Sequence, residues 1–220
     1  LGVPRNVPKT HRASTILQEA TVTDSNSRHS PYPIDPFFLD RWSPRAFTGE
    51  AVEQDTLLTI LEAAHWAPSS GNNQPWRFIY ALRDTAAWRV FLDILVPANS
   101  RWAQNAGALI VIVSKTFRLN KAGERREAYT HSFDTGAAWF SLAAQAMRLG
   151  LHAHGMEGLD REKAITALGI PEGYRVEAAA AIGKIAPPET LPEDLRSREM
   201  PSERMPLSQV VFAGRFSGED

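Results

Sequence analysis

Three segments of the 220-residue chain predict a fold that mixes helices and strands around one core. Residues 54–66, QDTLLTILEAAHW, place apolar side chains at 57, 58, 60, 61 and 64, the period of a helix packed along one side. Residues 107–114, GALIVIVS, form a continuous run rich in β-branched residues. Set between other elements, such a run marks a central strand buried on both faces. Residues 134–149 read as a helix whose clearly polar positions beyond the first turn are Ser141, Gln145 and Arg148, one narrow stripe. A helix apolar almost all round is buried on nearly every side, at the centre of the core or at a subunit interface.

The remaining elements follow in order. Residues 1–33 are polar, weakly basic and broken by proline, which predicts a flexible extension outside a domain of 34–220. Arg5, Lys9 and Arg12, ahead of any acid, also fit a transit peptide. WRFIYAL, 76–82, reads as a strand. Residues 84–95 read as a helix with Asp84 as N-cap, and 160–168 as a helix ended by Gly169-Ile170-Pro171. EAAAAIGK, 177–184, reads as a strand against the helical preference of its alanines. Beyond 184, prolines at 187, 188, 192, 201 and 206 interrupt any long element. Only LSQVVF, 207–212, has the texture of a strand there, so 185–220 is predicted to travel over a surface and dock, on this chain or on another subunit.

Composition removes several function classes. A net charge of −1 with no basic stripe argues against a nucleic-acid partner. The absence of cysteine excludes disulfides, thiolate metal sites and cysteine nucleophiles, and fits a cytoplasmic setting. The apolar run at 106–113 is far short of the roughly 20 residues of a membrane span.

Several stretches carry candidate chemistry, each with a plainer alternative. APSSGNNQPWRF, 67–78, crowds uncharged amides and hydroxyls between prolines. It is either a set of Asx and Ser/Thr turns or a surface for a flat, polar, neutral ring. In DRWSPRAF, 40–47, Arg41 and Arg45 bracket Ser43; they are surface arginines or a phosphate clamp, since guanidinium forks bind phosphate oxygens in pairs. GMEGLD, 155–160, is a turn before a helix, able to aim backbone N–H groups at a ligand. His152 and His154 have metal-ligand chemistry without a third partner at useful spacing, and His131 with Asp134 makes a candidate dyad without a G-x-S-x-G elbow. No G-x-G-x-x-G or Walker A loop is present.

Taken in order, RWSPRAF, ILEAAHWAPSSGNNQPWRF, NSRWAQNAGALIVIV, DTGAAWFSLAAQAMRLGL, GMEGLD, LGIPEGYRVEAAAAIGK and ERMPLSQVVF resemble the FMN-dependent nitroreductase family from about Phe37 to Phe212. The resemblance implies an α+β fold, a mainly antiparallel sheet flanked by helices. It implies an intertwined homodimer in which the arm 185–220 crosses to the partner and adds a strand there. It implies FMN at the dimer interface and NADH or NADPH as donor to a small-molecule acceptor, a nitroaromatic, a quinone or an activated alkene. The alternatives are an FMN-dependent dehydrogenase or oxidase or a dehalogenase of the same family, or a flavin-binding protein without catalysis.

Carried over residue by residue, Arg41 and Ser43, joined by Arg204, match the phosphate contacts, Trp42 between them is carried over as cofactor-binding, and Arg45 matches the cation near flavin N1 and O2. Pro68, Ser69, Ser70 and Asn72 match the loop that reaches the other subunit's flavin, braced by Gln74, Pro75 and Trp76. Met156, Glu157 and Gly158 match the turn near N5, and Asn99 the pyrimidine edge. No residue is assigned as acid or base, and no metal is expected. The sequence departs from some members at Ser202, where they carry a lysine, and around 99–105, where a lysine near O2 has no counterpart.

Overall fold

A computed structural model describes residues 26–218, so most of the expected extension lies outside the described residues. In chain order the helices are α1 (Phe37–Asp40), α2 (Gln54–His65), α3 (Trp88–Ile94), α4 (Pro97–Ala103), α5 (His131–Arg148), α6 (Arg161–Leu168) and α7 (Glu193–Arg196). The strands are β1 (Trp76–Leu82), β2 (Ala108–Lys115), β3 (Phe117–Leu119), β4 (Arg125–Glu127), β5 (His152–Met156) and β6 (Tyr174–Gly183).

Strands β1, β2, β6 and β5, in that spatial order, make one sheet with every pairing antiparallel, and β3 and β4 make a separate hairpin. The β-branched run lies where its burial predicts, between β1 and β6. Its alternate residues face two different cores. Leu109, Val111 and Val113 join Phe91 and Ile94 of α3 and Trp102 of α4. Ala108, Ile110 and Ile112 join Leu57 and Ile60 of α2 and Leu142 of α5. The sheet is therefore the middle layer of three. The alanines of β6 make that close stacking possible: Ala180 sits against the same core as Ala138, Ala143 and Ala146 of α5. Packing overrides their helical preference.

Other elements differ from the sequence reading. Asp84 does not cap α3; it takes a left-handed turn (φ 64°) after β1, and the helix begins at Trp88. Asp160 caps α6 as expected, accepting from the Lys163 N–H at 2.9 Å, and Gly169 ends it at φ 63°. The apolar helix is not covered on every side in a single chain. Asp134, Thr135, Ala138, Leu142, Ala143 and Ala146 are buried against the sheet and α2, but Phe133 is 80% exposed and Phe140 43%. Residues 207–212 form no strand. They make a short 3-10 turn at Leu207–Gln209 and stay largely exposed, since a strand forms only on an edge that offers it ladder partners. Among the described residues no helix is long and apolar enough to cross a membrane.

Candidate functional site

Four stretches far apart in sequence meet around a cleft of about 590 Å³. Ser27 and Arg28 come from ahead of α1, and Arg41, Trp42, Ser43 and Arg45 from the extended chain after it. His154 comes from β5, and Arg198 to Arg204, Glu199 excepted, from the proline-broken tail. Helix α1 stops at Arg41, which turns to extended geometry, and Pro44 keeps the chain extended through the site. The sequence-derived cluster Arg41, Trp42, Ser43, Arg45 and Arg204 is thus assembled in one place.

The electrostatics of the cleft are lopsided. Five arginines line it against one acid, Glu203, so positive charge is left without a counterion. Burial lowers the affinity of Arg41 for its proton, and Arg204 lowers it further. Burial does the same to Arg45, assisted by Arg198 and opposed by Glu199. Crowding cations this way costs stability unless an anion joins them.

Glu199 is the residue of the site that sequence reasoning missed most completely. Its Oε1 accepts from the backbone N–H of Arg45 at 2.7 Å and of Ala46 at 2.8 Å, which fixes the chain that carries Arg45. Its side chain is 1% exposed, and its Oε2 lies 4.0 Å from the Arg45 guanidinium without a hydrogen bond. Arg28 and Arg198 were also missed. All three stand in segments without periodicity, and only a density of charge in REMPSER marks the tail.

His154 connects the cleft to the core. Its Nδ1–H donates to the Pro44 carbonyl at 2.9 Å, and its ring lies 4.6 Å from that of Trp102. Burial pushes this imidazole down from its ordinary 6.5 to about 4, outweighing the carbonyl bond that raises it. The unfolded chain therefore takes up the proton first as pH falls. Stability from this group is full above about pH 6.5 and is lost toward about pH 4, by about 3 kcal/mol in all. Denaturant midpoints between about pH 7.5 and about 4.5 check this. The dependence flattens in His154→Gln, whose amide still donates to Pro44 but takes no proton. Neither His154 nor His152, the latter lowered by burial and then by Arg41, gains a third metal-ligating partner among the described residues.

Strand β5 runs from His154 to the turn Met156–Gly158. That turn is stapled from behind: Asn99 Nδ2 donates to the Gly158 carbonyl at 3.0 Å, and the Val96 N–H joins it at 3.3 Å. A Cβ on Gly158 would stand 2.8 Å from Asn99 Nδ2 and 2.9 Å from Val96 Cγ2, so a larger residue would have to push the Asn99 brace aside. Asn99 thus lies beside the Glu157–Gly158 turn, with its amide nitrogen engaged in bracing it.

The neutral loop is elsewhere. Pro68, Ser70 and Asn72 are exposed and do not line the cleft of their own chain. Gly71, Asn72 and Gln74 all take positive φ, held by Ser69 Oγ accepting from the Gln74 N–H at 3.0 Å. The buried Asp134 anchors the loop to α5, accepting from the Ser70 N–H at 3.2 Å and from Thr130 Oγ1 at 3.0 Å. This overturns the candidate dyad: His131 Nδ1 pairs instead with Ser114 Oγ at 2.7 Å, beside Glu177. A bulge in β6, where pairing shifts between Ile112 and Val113, makes Glu177 the extra residue.

A family model described as the nitroreductase family matches residues 39–184, more than half of the chain. The chain belongs to the nitroreductase family. An oxidoreductase containing FMN, known from its crystal structure, is 52% identical with a TM-score of 0.87, over 90% of this chain and 100% of that one. A protein from Desulfovibrio desulfuricans, described as a nitroreductase in complex with FMN, is 25% identical with a TM-score of 0.64, over 86% of this chain and 100% of that one. The NADH dehydrogenase of Thermus thermophilus is 28% identical over 202 residues, 79% of this chain and 92% of the relative. The antiparallel sheet with helices on both faces is the nitroreductase fold.

Proposed function

We propose that this member of the nitroreductase family is an FMN-dependent oxidoreductase that takes electrons from NADH or NADPH and passes them to a small organic acceptor such as a nitroaromatic or a quinone. The observation that carries this reading is the uncompensated arginine cleft, which fits a phosphate dianion. The donor set suits FMN: Arg41, Ser43 and Arg204 would hold the phosphate, with Trp42 beside them. Arg45 would face the pyrimidine end, and Met156, Glu157 and Gly158 would form the wall along the ring. The chemistry that such a ring supplies when bound is two-electron transfer, alternately from a nicotinamide and to an acceptor. The chain's own part is to hold charge in place, exclude water and bring the acceptor close.

The same reading makes the protein a homodimer. Trp66 is 79% exposed, Tyr129 89% and Phe133 80%; Trp66 leads into the loop that Asp134 ties to α5, Tyr129 lines a small pocket with Ser70 and Asn73 of that loop, and Phe133 adjoins Asp134. Apolar side chains exposed together this way mark an interaction surface. A second copy on this surface would receive Pro68, Ser69, Ser70 and Asn72 in its own cleft. The arm, with Leu207, Val210 and Val211 exposed, would cross to that copy and add a strand there.

The purified protein is expected to be yellow and to release FMN, not FAD, on denaturation. FAD as the released flavin, or a colourless protein that takes up no FMN, refutes the reading. Anaerobic mixing with NADH and with NADPH then separates a reductase, whose yellow colour bleaches rapidly, from a protein that only stores flavin. Mixing with candidate reduced substrates and O₂ tests the oxidase alternative.

A further inference from the structure

We propose that Arg28, which lies ahead of the family-matched region, is a phosphate-binding residue whose free guanidinium nitrogen completes the anion site of the cleft. This rests on the FMN reading of that cleft.

Arg28 belongs to the segment expected to lie outside the fold, yet it is only 9% exposed. Its Nε donates to the Ser202 carbonyl at 2.9 Å, and its Nη1 donates to the carbonyls of Leu39 at 2.9 Å and Arg41 at 3.0 Å. A guanidinium has five N–H donors in a rigid fork. Three are spent on these carbonyls, which fixes the plane of the group. The two on Nη2 have no partner among the described residues, and the side chain lines the cleft. A pair of N–H groups held in a fixed plane suits the oxygens of a phosphate.

The surroundings of Arg28 point the same way. Arg41 and Arg204 are close enough to repel its charge, while Glu203 offsets this only in part and forms no ion pair with it. A strap that merely tied the segment to the domain would need no charge. Asn26 already does that work neutrally, donating to the Leu39 carbonyl at 2.7 Å and to Asp40 Oδ1 at 3.0 Å. Arg28 is buried beside the half-buried Arg41 and the exposed Arg204, and a buried cation among cations is stabilised when a dianion joins them. The position is also specific: Arg28 binds the backbone of Ser202, two residues before Arg204. The segment ahead of α1 thereby acts as a clasp that closes over the phosphate and links the arginines of α1's end to the tail.

FMN and riboflavin differ only by that phosphate, so paired affinities test the proposal. The full chain is stripped of flavin, and each flavin's fluorescence quenching is titrated for wild type, Arg28→Gln and Arg28→Lys. Arg28→Gln is expected to weaken FMN about tenfold or more while riboflavin changes by no more than about twofold. Arg28→Lys keeps the charge and loses the fork, so it falls between; it also carries the test should the Gln variant fold poorly. The reduction potential of bound FMN stays at the wild-type value in both, because the phosphate charge does not change on reduction. Equal weakening of FMN and riboflavin would leave Arg28 as a strap and overturn the proposal, as would unchanged FMN affinity. Wild type that binds no FMN at all would instead overturn the reading of the cleft, and the proposal with it.

Discussion

Replacing Trp66 and Phe133 together by Asp is expected to give a colourless monomer. Both side chains are about four-fifths exposed in a single chain, at 79% and 80%; Trp66 leads into the loop bearing Ser69, Ser70 and Asn72, and Phe133 adjoins Asp134, which holds that loop. In the proposed dimer each is buried in both copies, so four aromatic side chains leave water. At about 1.5–3 kcal/mol for each fully buried aromatic, the four dominate association, and placing carboxylates there adds an unpaired charge. Flavin goes with the dimer because each cleft would receive its neutral loop from the partner. Sedimentation and absorbance of the same sample check both parts at once. A dimer that persists, or a monomer that stays yellow, refutes the shared-site architecture. The choice of residues depends on the structure. From the sequence, Leu142 and Ala143 look equally suited, since the helix is apolar almost all round. They lie in the chain's own core at 0% and 4% exposure. An Asp there would unfold the subunit and say nothing about association.

That helix shows where sequence reading runs out. Periodicity and β-branching located α2, β1, β2 and α5, because each buries a regular stripe or run, and α6 was legible through its caps, Asp160 and Gly169. The strand at β6 was legible through its stops despite its alanines. The faces of α5 were not legible: Leu142 and Phe133 are equally apolar, and only the position of α2 and the sheet decides which is buried. The tail failed for a different reason. Val210, Val211 and Phe212 favour a strand, but a strand needs an edge, and a single chain leaves these residues in a turn and open coil. At the site, Arg41 and Arg45 were legible as charges bracketing the hydroxyl of Ser43, and Arg204 through the resemblance of its segment. Arg28 and Glu199 were not, because their roles depend on backbone groups they reach only after folding: the carbonyls of Leu39, Arg41 and Ser202, and the N–H groups of Arg45 and Ala46.

Arg204→Ala and Arg45→Ala are expected to separate cofactor binding from electron affinity. Arg204 lines the cleft, where it would meet the phosphate, and its Nη1 donates to the Ser202 carbonyl at 3.1 Å, within its own loop. A phosphate carries the same charge whether the ring is oxidised or reduced. Losing Arg204 therefore weakens FMN by about 1.5–3 kcal/mol, tens-fold or more in affinity, and leaves the potential unchanged. In the proposed site Arg45 would face the pyrimidine end, where negative charge accumulates only on reduction. Losing it weakens the reduced flavin more than the oxidised form, so the potential falls and reduction by nicotinamide slows. Each kcal/mol of that difference is about 20 mV for a two-electron couple. Glu199 supplies the opposite test. Its Oε2 stands 4.0 Å from the Arg45 guanidinium and offsets part of its field. Glu199→Gln keeps an oxygen for the Arg45 and Ala46 N–H groups but removes the charge, so the potential rises. In an Arg45→Ala background the same substitution moves the potential less, since the field it opposes is gone. Potentiometric titration of the three single variants and the double variant decides the matter. An Arg45→Ala potential equal to that of wild type would show that this arginine does not face the ring.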